Sequence, residues 1–227
     1  MISLLGEGFD GATPRERDSE ERRFKMVACQ IERRGIRDER ILQAMRDVPR
    51  HEFVPLESRN RAYEDCALPI GFGQTISQPY IVAYTLANLT LHPGDRVLEV
   101  GAGSGYQSAV FSRLVAEVYA IEILDELVFR AMRDLHRLHF DNVLVRKGDG
   151  YNGWAELAPF DAVAVAAALD HIPRPLVNQL REGARMVIPI GNSAGQQLML
   201  VEKKRGGMST QALCPVWFVP FVRKRTG

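Results

Sequence analysis

The chain has 227 residues, of which 46% are hydrophobic and 25% charged, and it carries a formal net charge of +1. That length suits one sizeable core in a single domain. The composition excludes a fibrous or wholly disordered chain, and the near-neutral charge offers no electrostatic footprint for nucleic acid or an acidic membrane.

The opening "MISLLGEGFDG" lacks a basic n-region and a long apolar run, so it reads as a poor signal peptide. Residues 1–22, rich in Gly and charge without an apolar period, are expected to form a mobile arm. Helical spacing of apolar residues predicts helices over Phe24–Arg34 and Asp38–Asp47, the second with Asp38 as N-cap. Pro49 and Pro55 in "VPRHEFVP" stop that helix. His51 beside Glu52 lies outside any HExxH pattern and reads as a packed or surface residue. A further helix is predicted from Pro79 to about Leu91, with Ser77 as candidate N-cap.

After the turn "HPGD" the rhythm changes. "RVLEV", "EVYAIE", "NVLVRKGD" and "FDAVAVA" are short runs apolar on both faces, separated by helical segments over Tyr106–Leu114 and Asp125–Leu138. Such runs indicate a parallel sheet covered on each side. A helix over Pro173–Leu180 and strands in "EGARMVIPIG", "QQLMLVEKK" and "PVWFVPFV" follow. The fold class read here is α/β: a doubly wound, mostly parallel sheet with N-terminal helices and an antiparallel C-terminal strand region. One domain is expected over residues 1–227, with a helical part at 23–92, a substrate and cofactor loop at 71–80, and a binding core at 93–227. The most apolar stretch, Ala162–Leu169, is far too short to span a bilayer. Cys29, Cys66 and Cys214 are odd in number, dispersed and without CxxC, which argues against a disulfide framework or a zinc site and suits a cytoplasmic location. No metal is expected. The basic residues within 203–225 read as a solvated face and a charged terminus.

"VLEVGAGSGY" sets Gly101, Gly103 and Gly105 after a strand and at the start of a helix. Glycines there permit a sharp turn and close approach of a ligand to free amide groups. Tyr106 stands where a dinucleotide fingerprint would want its third-spaced glycine, so the pyrophosphate pattern is not met. "EVYAIE" ends on Glu122, a carboxylate placed to accept both hydroxyls of a ribose, or simply a solvated strand end. Asp149 and Gly150, after the third strand, read either as an adenine acceptor or as an ordinary Asp-Gly turn.

This ordered set resembles the S-adenosylmethionine-dependent methyltransferases, and by that resemblance Glu99 anchors the loop or meets the cofactor's ammonium group. "ALPIGFGQTISQPYIVA", "GDGYNGW", "FDAVAVAAA" and "QIERRGIRDERILQAMRDVPRHEFVP" then extend the likeness from about Met26 to Val222. Together they resemble the protein-L-isoaspartate O-methyltransferases. The resemblance implies methyl transfer from S-adenosylmethionine, leaving S-adenosylhomocysteine, to the free α-carboxylate of L-isoaspartyl residues in damaged proteins and peptides. The ester would then close to a succinimide and return some normal aspartate. By the same resemblance Ser77 binds and aims the substrate carboxylate, with a helix cap as its plainer role. Gln74, Thr75 and Ile76 line and cover the cofactor. A monomer is expected, with no nucleic-acid or membrane partner.

Two departures from the family pattern stand out. Ala166–His171 reads Ala-Ala-Ala-Leu-Asp-His where a threonine and two prolines are frequent, and Trp217 stands where an arginine is frequent. They keep one rival open, a divergent carboxylate O-methyltransferase with another peptide or small substrate; a second rival, a non-catalytic nucleotide-binding module, is disfavoured by the full hydroxyl set of the 71–80 loop.

Overall fold

The computed structural model describes residues 14–223. The first helix, α1 (Pro14–Met26), runs into a wide turn over Val27–Ile31 and a tight one over Glu32–Arg34, ending where Gly35 adopts φ 96°. Residues 14–22, expected as part of an arm, are therefore helical, while residues 1–13 lie outside the described residues. No apolar stripe announces this helix. It is held by charged pairs one turn apart, Arg22 with Asp18 at 3.7 Å and Arg23 with Glu20 at 4.0 Å, and it anchors through Met26 and Val27.

Helix α2 (Glu39–Asp47) begins as the sequence predicts: the Asp38 carboxylate accepts the Arg40 amide at 2.9 Å, and Ile41, Leu42, Ala44 and Met45 are buried. Two 3₁₀ turns follow, over Arg50–Phe53 and Leu56–Arg61. Arg50 is fully buried, donates from Nε to the Ala62 carbonyl at 2.8 Å, and lies over the Tyr106 ring at 4.8 Å. This contact ties the N-terminal part to the core beneath the glycine turn.

The 71–80 segment is more ordered than its composition suggests. β1 (Leu68–Gly71) and β2 (Gln74–Ile76) form a small antiparallel hairpin, turned by Phe72 and Gly73, that leads into α3 (Pro79–Leu89). Ser77 does not cap that helix. The cap position is Gln78, whose side chain instead reaches Asp65 Oδ1 at 2.8 Å and the Asp65 carbonyl at 3.1 Å. Pro79 at the first helical position removes one amide that would otherwise need an acceptor.

The rest of the chain is an α/β sandwich. β3 (Arg96–Val100), α4 (Tyr106–Ser112), β4 (Glu117–Glu122), α5 (Asp125–Arg137) and β5 (Val143–Lys147) alternate, followed by β6 (Phe160–Val165) and α6 (Arg174–Asn178). β7 (Leu180–Asn192), β8 (Gly195–Lys204) and β9 (Gly207–Val216) complete one seven-stranded sheet of order β5-β4-β3-β6-β7-β8-β9. Pairs from β5 to β7 are parallel, and the last two are antiparallel. Residues 97–98, 118, 120–121 and 162–164 are almost fully buried, which is why these runs read as apolar on both faces. The final strand differs from its expected position. β9 lies at Gly207–Val216 rather than 215–222, and residues 217–223 form a strap pinned to the Ala168 backbone from both sides, Ala168 N to Val219 O and Phe221 N to Ala168 O, each at 2.9 Å.

Candidate active site

The direction of chain travel reverses between β3 and β6, and a crevice opens at the carboxyl ends of the strands there, where doubly wound sheets bind ligands. Backbone bonds continue the ladder past the strand ends: Gly101 N to Ile121 O and Ala166 N to Val100 O at 2.8 Å, and Gly148 N to Glu122 O at 2.8 Å. The crevice spans about 800 Å³ when space open to solvent is counted. Its floor comes from the strand ends, its lid from the hairpin residues Gln74–Ser77 and from Val219–Val222 of the strap. Gly101 and Gly103 hold φ of 89° and 53°, a region L side chains rarely adopt, so the turn over the cavity needs glycine.

Of the residues singled out by sequence, the structure brings Gln74, Thr75, Ile76, Ser77, Glu99, Gly101, Gly103, Glu122 and Gly150 to this one cavity. Two others stand aside. Gly105 caps α4 with φ 85°, and a Cβ there would meet Ala131 and Leu135 of α5 at 3.3 Å, so this glycine serves helix packing. Asp149 accepts the Tyr151 amide at 3.0 Å and pairs with Arg223 at 3.3 Å. Gly150 is required for a different reason: a Cβ would lie 2.3 Å from Val100 Cγ1.

The two acids differ in surroundings. Glu122 accepts backbone amides from Gly103 at 2.9 Å, Ile123 at 2.7 Å and Leu124 at 3.0 Å, so it fixes the glycine turn against the start of the next loop. Glu99 is buried, accepting from Gln107 Nε2 at 3.0 Å and from the Ser108 hydroxyl. Burial pushes its carboxyl up to about 8, against the opposing pull of those two hydrogen bonds.

A second hollow, of about 900 Å³ including open space, adjoins the first. Thr75, Ser77 and Ala166 line both, so they form the partition between them. The Ser77 hydroxyl has no hydrogen-bond partner among the described residues, and neither cavity includes His171. His171 is exposed and bonded instead to the Tyr151 hydroxyl at 2.8 Å and to Asp170 at 2.5 Å. Sequence reasoning missed the strap. "WFVPFV" reads as a strand because it is apolar, and only the Ala168 bonds reveal that it crosses the cavity mouth. Among the described residues no cluster of three His, Cys, Asp or Glu could hold a metal, and no helix is long and apolar enough to cross a membrane.

Comparison with known proteins agrees with this geometry. The profile of the protein-L-isoaspartate(D-aspartate) O-methyltransferase family matches residues 21–226. A protein-L-isoaspartate O-methyltransferase 2 of Polaromonas sp. is 55% identical over 190 residues, covering 83% of this chain and 90% of its own. A protein-L-isoaspartate O-methyltransferase of Opitutus terrae is 50% identical over 211 residues, covering 92% and 91%. The crystal structure of a Plasmodium falciparum putative protein-L-isoaspartate O-methyltransferase, in complex with S-adenosyl-L-homocysteine, superposes with a TM-score of 0.78 at 27% identity, over 89% of this chain and 99% of that one. With a profile match spanning nearly the whole sequence and relatives at half identity, the chain belongs to the protein-L-isoaspartate(D-aspartate) O-methyltransferase family.

Proposed function

We propose that this protein transfers a methyl group from S-adenosylmethionine to the free α-carboxylate of L-isoaspartyl residues in damaged proteins and peptides, the first step of their repair. The observation that carries the reading is the shared partition: Ser77, with Thr75 and Ala166, borders two adjoining cavities at once. One cavity suits the donor and the other the acceptor, and a methyl group has to cross between them.

The residues of the first cavity fit the donor. The glycine turn admits close backbone approach, Glu122 offers a carboxylate beside it for a ribose, and Ile76, Ile121 and Phe221 offer apolar surface for a base. Glu99 lies in the same wall and, once ionised, suits an ammonium group. When bound there, S-adenosylmethionine supplies a sulfonium methyl carbon open to attack by a carboxylate oxygen, its carbon–sulfur bond breaking to leave a neutral thioether.

The chain's own residues then have a positional task. A carboxylate is ionised near neutral pH, with an ordinary pKa of about 4, so no base has to remove a proton from it. Ser77 donates its hydroxyl to one acceptor oxygen and aims the other through the partition. Ile76, buried above the cavity, keeps water from the line of transfer. Ser77 is not read as a covalent nucleophile, since no histidine lines either cavity to activate it. The protein is expected to act in the cytoplasm as a monomer, without a nucleic-acid partner.

Incubation with radiolabelled S-adenosylmethionine and a pair of peptides, isoaspartyl and aspartyl, tests the reading. Label is expected on the isoaspartyl peptide alone and to be base-labile, as an ester is. Equal label on both, or label on neither, would overturn it. The second outcome together with tight binding of S-adenosylhomocysteine would favour a non-catalytic binding module.

A further inference from the structure

We infer that Trp217 is a specificity-determining residue, selecting isoaspartyl sites whose neighbouring residue carries a large apolar or aromatic side chain. The inference rests on the methyl-transfer reading above and concerns the acceptor hollow alone.

Trp217 lines the second hollow, the one that shares Ser77 with the donor cavity, and it is 74% exposed. Isolated apolar side chains at a surface are common and mean little. This one differs in where it stands and how it is held. Its backbone is fixed on both sides by one buried residue: Gln196 pairs with Val216 at the end of β9, accepts the Phe218 amide at 2.6 Å, and donates to the Phe218 carbonyl at 3.1 Å. The indole therefore projects from a rigid clamp. Among the described residues it makes no hydrogen bond, ring stack or cation–π contact.

The chemistry of the hollow identifies what would cover it. Trp217 shares the hollow with apolar Ala67, Ile81, Pro215, Val216 and Phe218 and with the uncharged polar Thr75, Ser77 and Gln78, and among the described residues none that lines it is charged. Asp65, in the adjoining loop, is already engaged by Arg34 and by Gln78. A lysine or arginine beside the isoaspartyl group would lose water there without meeting a carboxylate, whereas an apolar side chain would bury surface on both partners. Since Ser77 fixes the acceptor carboxylate at the partition, the side chain placed against the rest of the hollow belongs to an immediate neighbour in the peptide.

The test uses three isoaspartyl peptides that differ only in the residues flanking the site: Phe, Ala or Lys on both sides. KM is measured with S-adenosylmethionine, and Kd is measured by calorimetry with S-adenosylhomocysteine present. The Phe-flanked peptide is expected to bind about tenfold more tightly than the Ala-flanked one, the scale of a modest hydrophobic contact. The Lys-flanked peptide is expected to gain nothing over Ala. Trp217→Ala should collapse the Phe preference toward unity, and Trp217→Phe should restore most of it. Binding of S-adenosylhomocysteine reports that each variant is folded. A Phe preference that survives in Trp217→Ala, or equal affinities for all three peptides in the parent, overturns the inference while leaving the activity standing. Methylation of none of the three overturns the activity itself, and this inference with it.

Discussion

The two cavities that meet at Ser77 are built by different means. The cavity read as the donor's sits on the ends of parallel strands, of which β3, β4 and β6 are largely buried, and its shape is set by main chain: two glycines in a left-handed region, three amides gathered by Glu122, and a ladder extended past Val100 and Ile121. The acceptor hollow is built at the surface, from side chains of the α3 approach and the end of β9. The lesson is that the second offers substitution some residues, such as Trp217, that do not line the first. Of the chain's departures from its family pattern, Trp217 lies wholly in the hollow, Ala166 lines both cavities, and His171 lines neither.

The sharpest way to break the comparison is at the partition. Ser77→Ala should lower kcat by roughly 10²-fold, the cost of losing one donor aimed at a reacting oxygen, with little change in S-adenosylhomocysteine affinity. An equal fall in both would move Ser77 into the donor cavity's machinery. Next in size, Glu122→Ala should weaken S-adenosylhomocysteine binding by about 10- to 100-fold, since it removes a charged acceptor worth about 1.5–3 kcal/mol per hydrogen bond, while leaving peptide selectivity intact. Calorimetry with the intact and substituted proteins checks it, and an unchanged Kd would refute the role.

The smallest effect concerns pH. With its carboxyl pushed up to about 8 by burial, Glu99 is mostly protonated at neutral pH. A raised acid favours the fold below its unfolded value near 4.5 and loses that contribution as pH climbs through about 8. The apoprotein should therefore lose stability relative to Glu99→Gln across that window, read by thermal unfolding at a series of pH values. If Glu99 meets an ammonium group, donor affinity should depend on pH between 6 and 8 differently in the parent and in Glu99→Gln, where only the ligand's own amine titrates. Among the described residues no titratable group lines the second hollow, so peptide discrimination should not follow the same curve.

How much of this was legible in the sequence divides along the same boundary. Strands that carry the donor cavity announce themselves, because residues such as Val97, Leu98, Val163 and Ala164 must be apolar on both faces. The glycine turn and Glu122 follow from their offsets to those strands. Gly105 and Asp149 look identical to cavity residues in the motif, yet one faces α5 and the other folds back to Tyr151 and Arg223, and only packing reveals the difference. The acceptor hollow was least legible. Its walls come from residues 67–81, 166 and 215–218, brought together by tertiary contact and not by any period. The Ser77 cap misled for a related reason, since Gln78 takes the cap position and spends its amide on Asp65, a residue 13 positions away.

The strap pinned by Ala168 has one more consequence. It carries Trp217 along the second hollow and, a few residues on, Val219–Val222 along the first, so a single run of main chain borders both cavities. Whatever factor a well-matched peptide gains by steadying that run must return, by thermodynamic reciprocity, as the same factor in how firmly the nucleoside is retained.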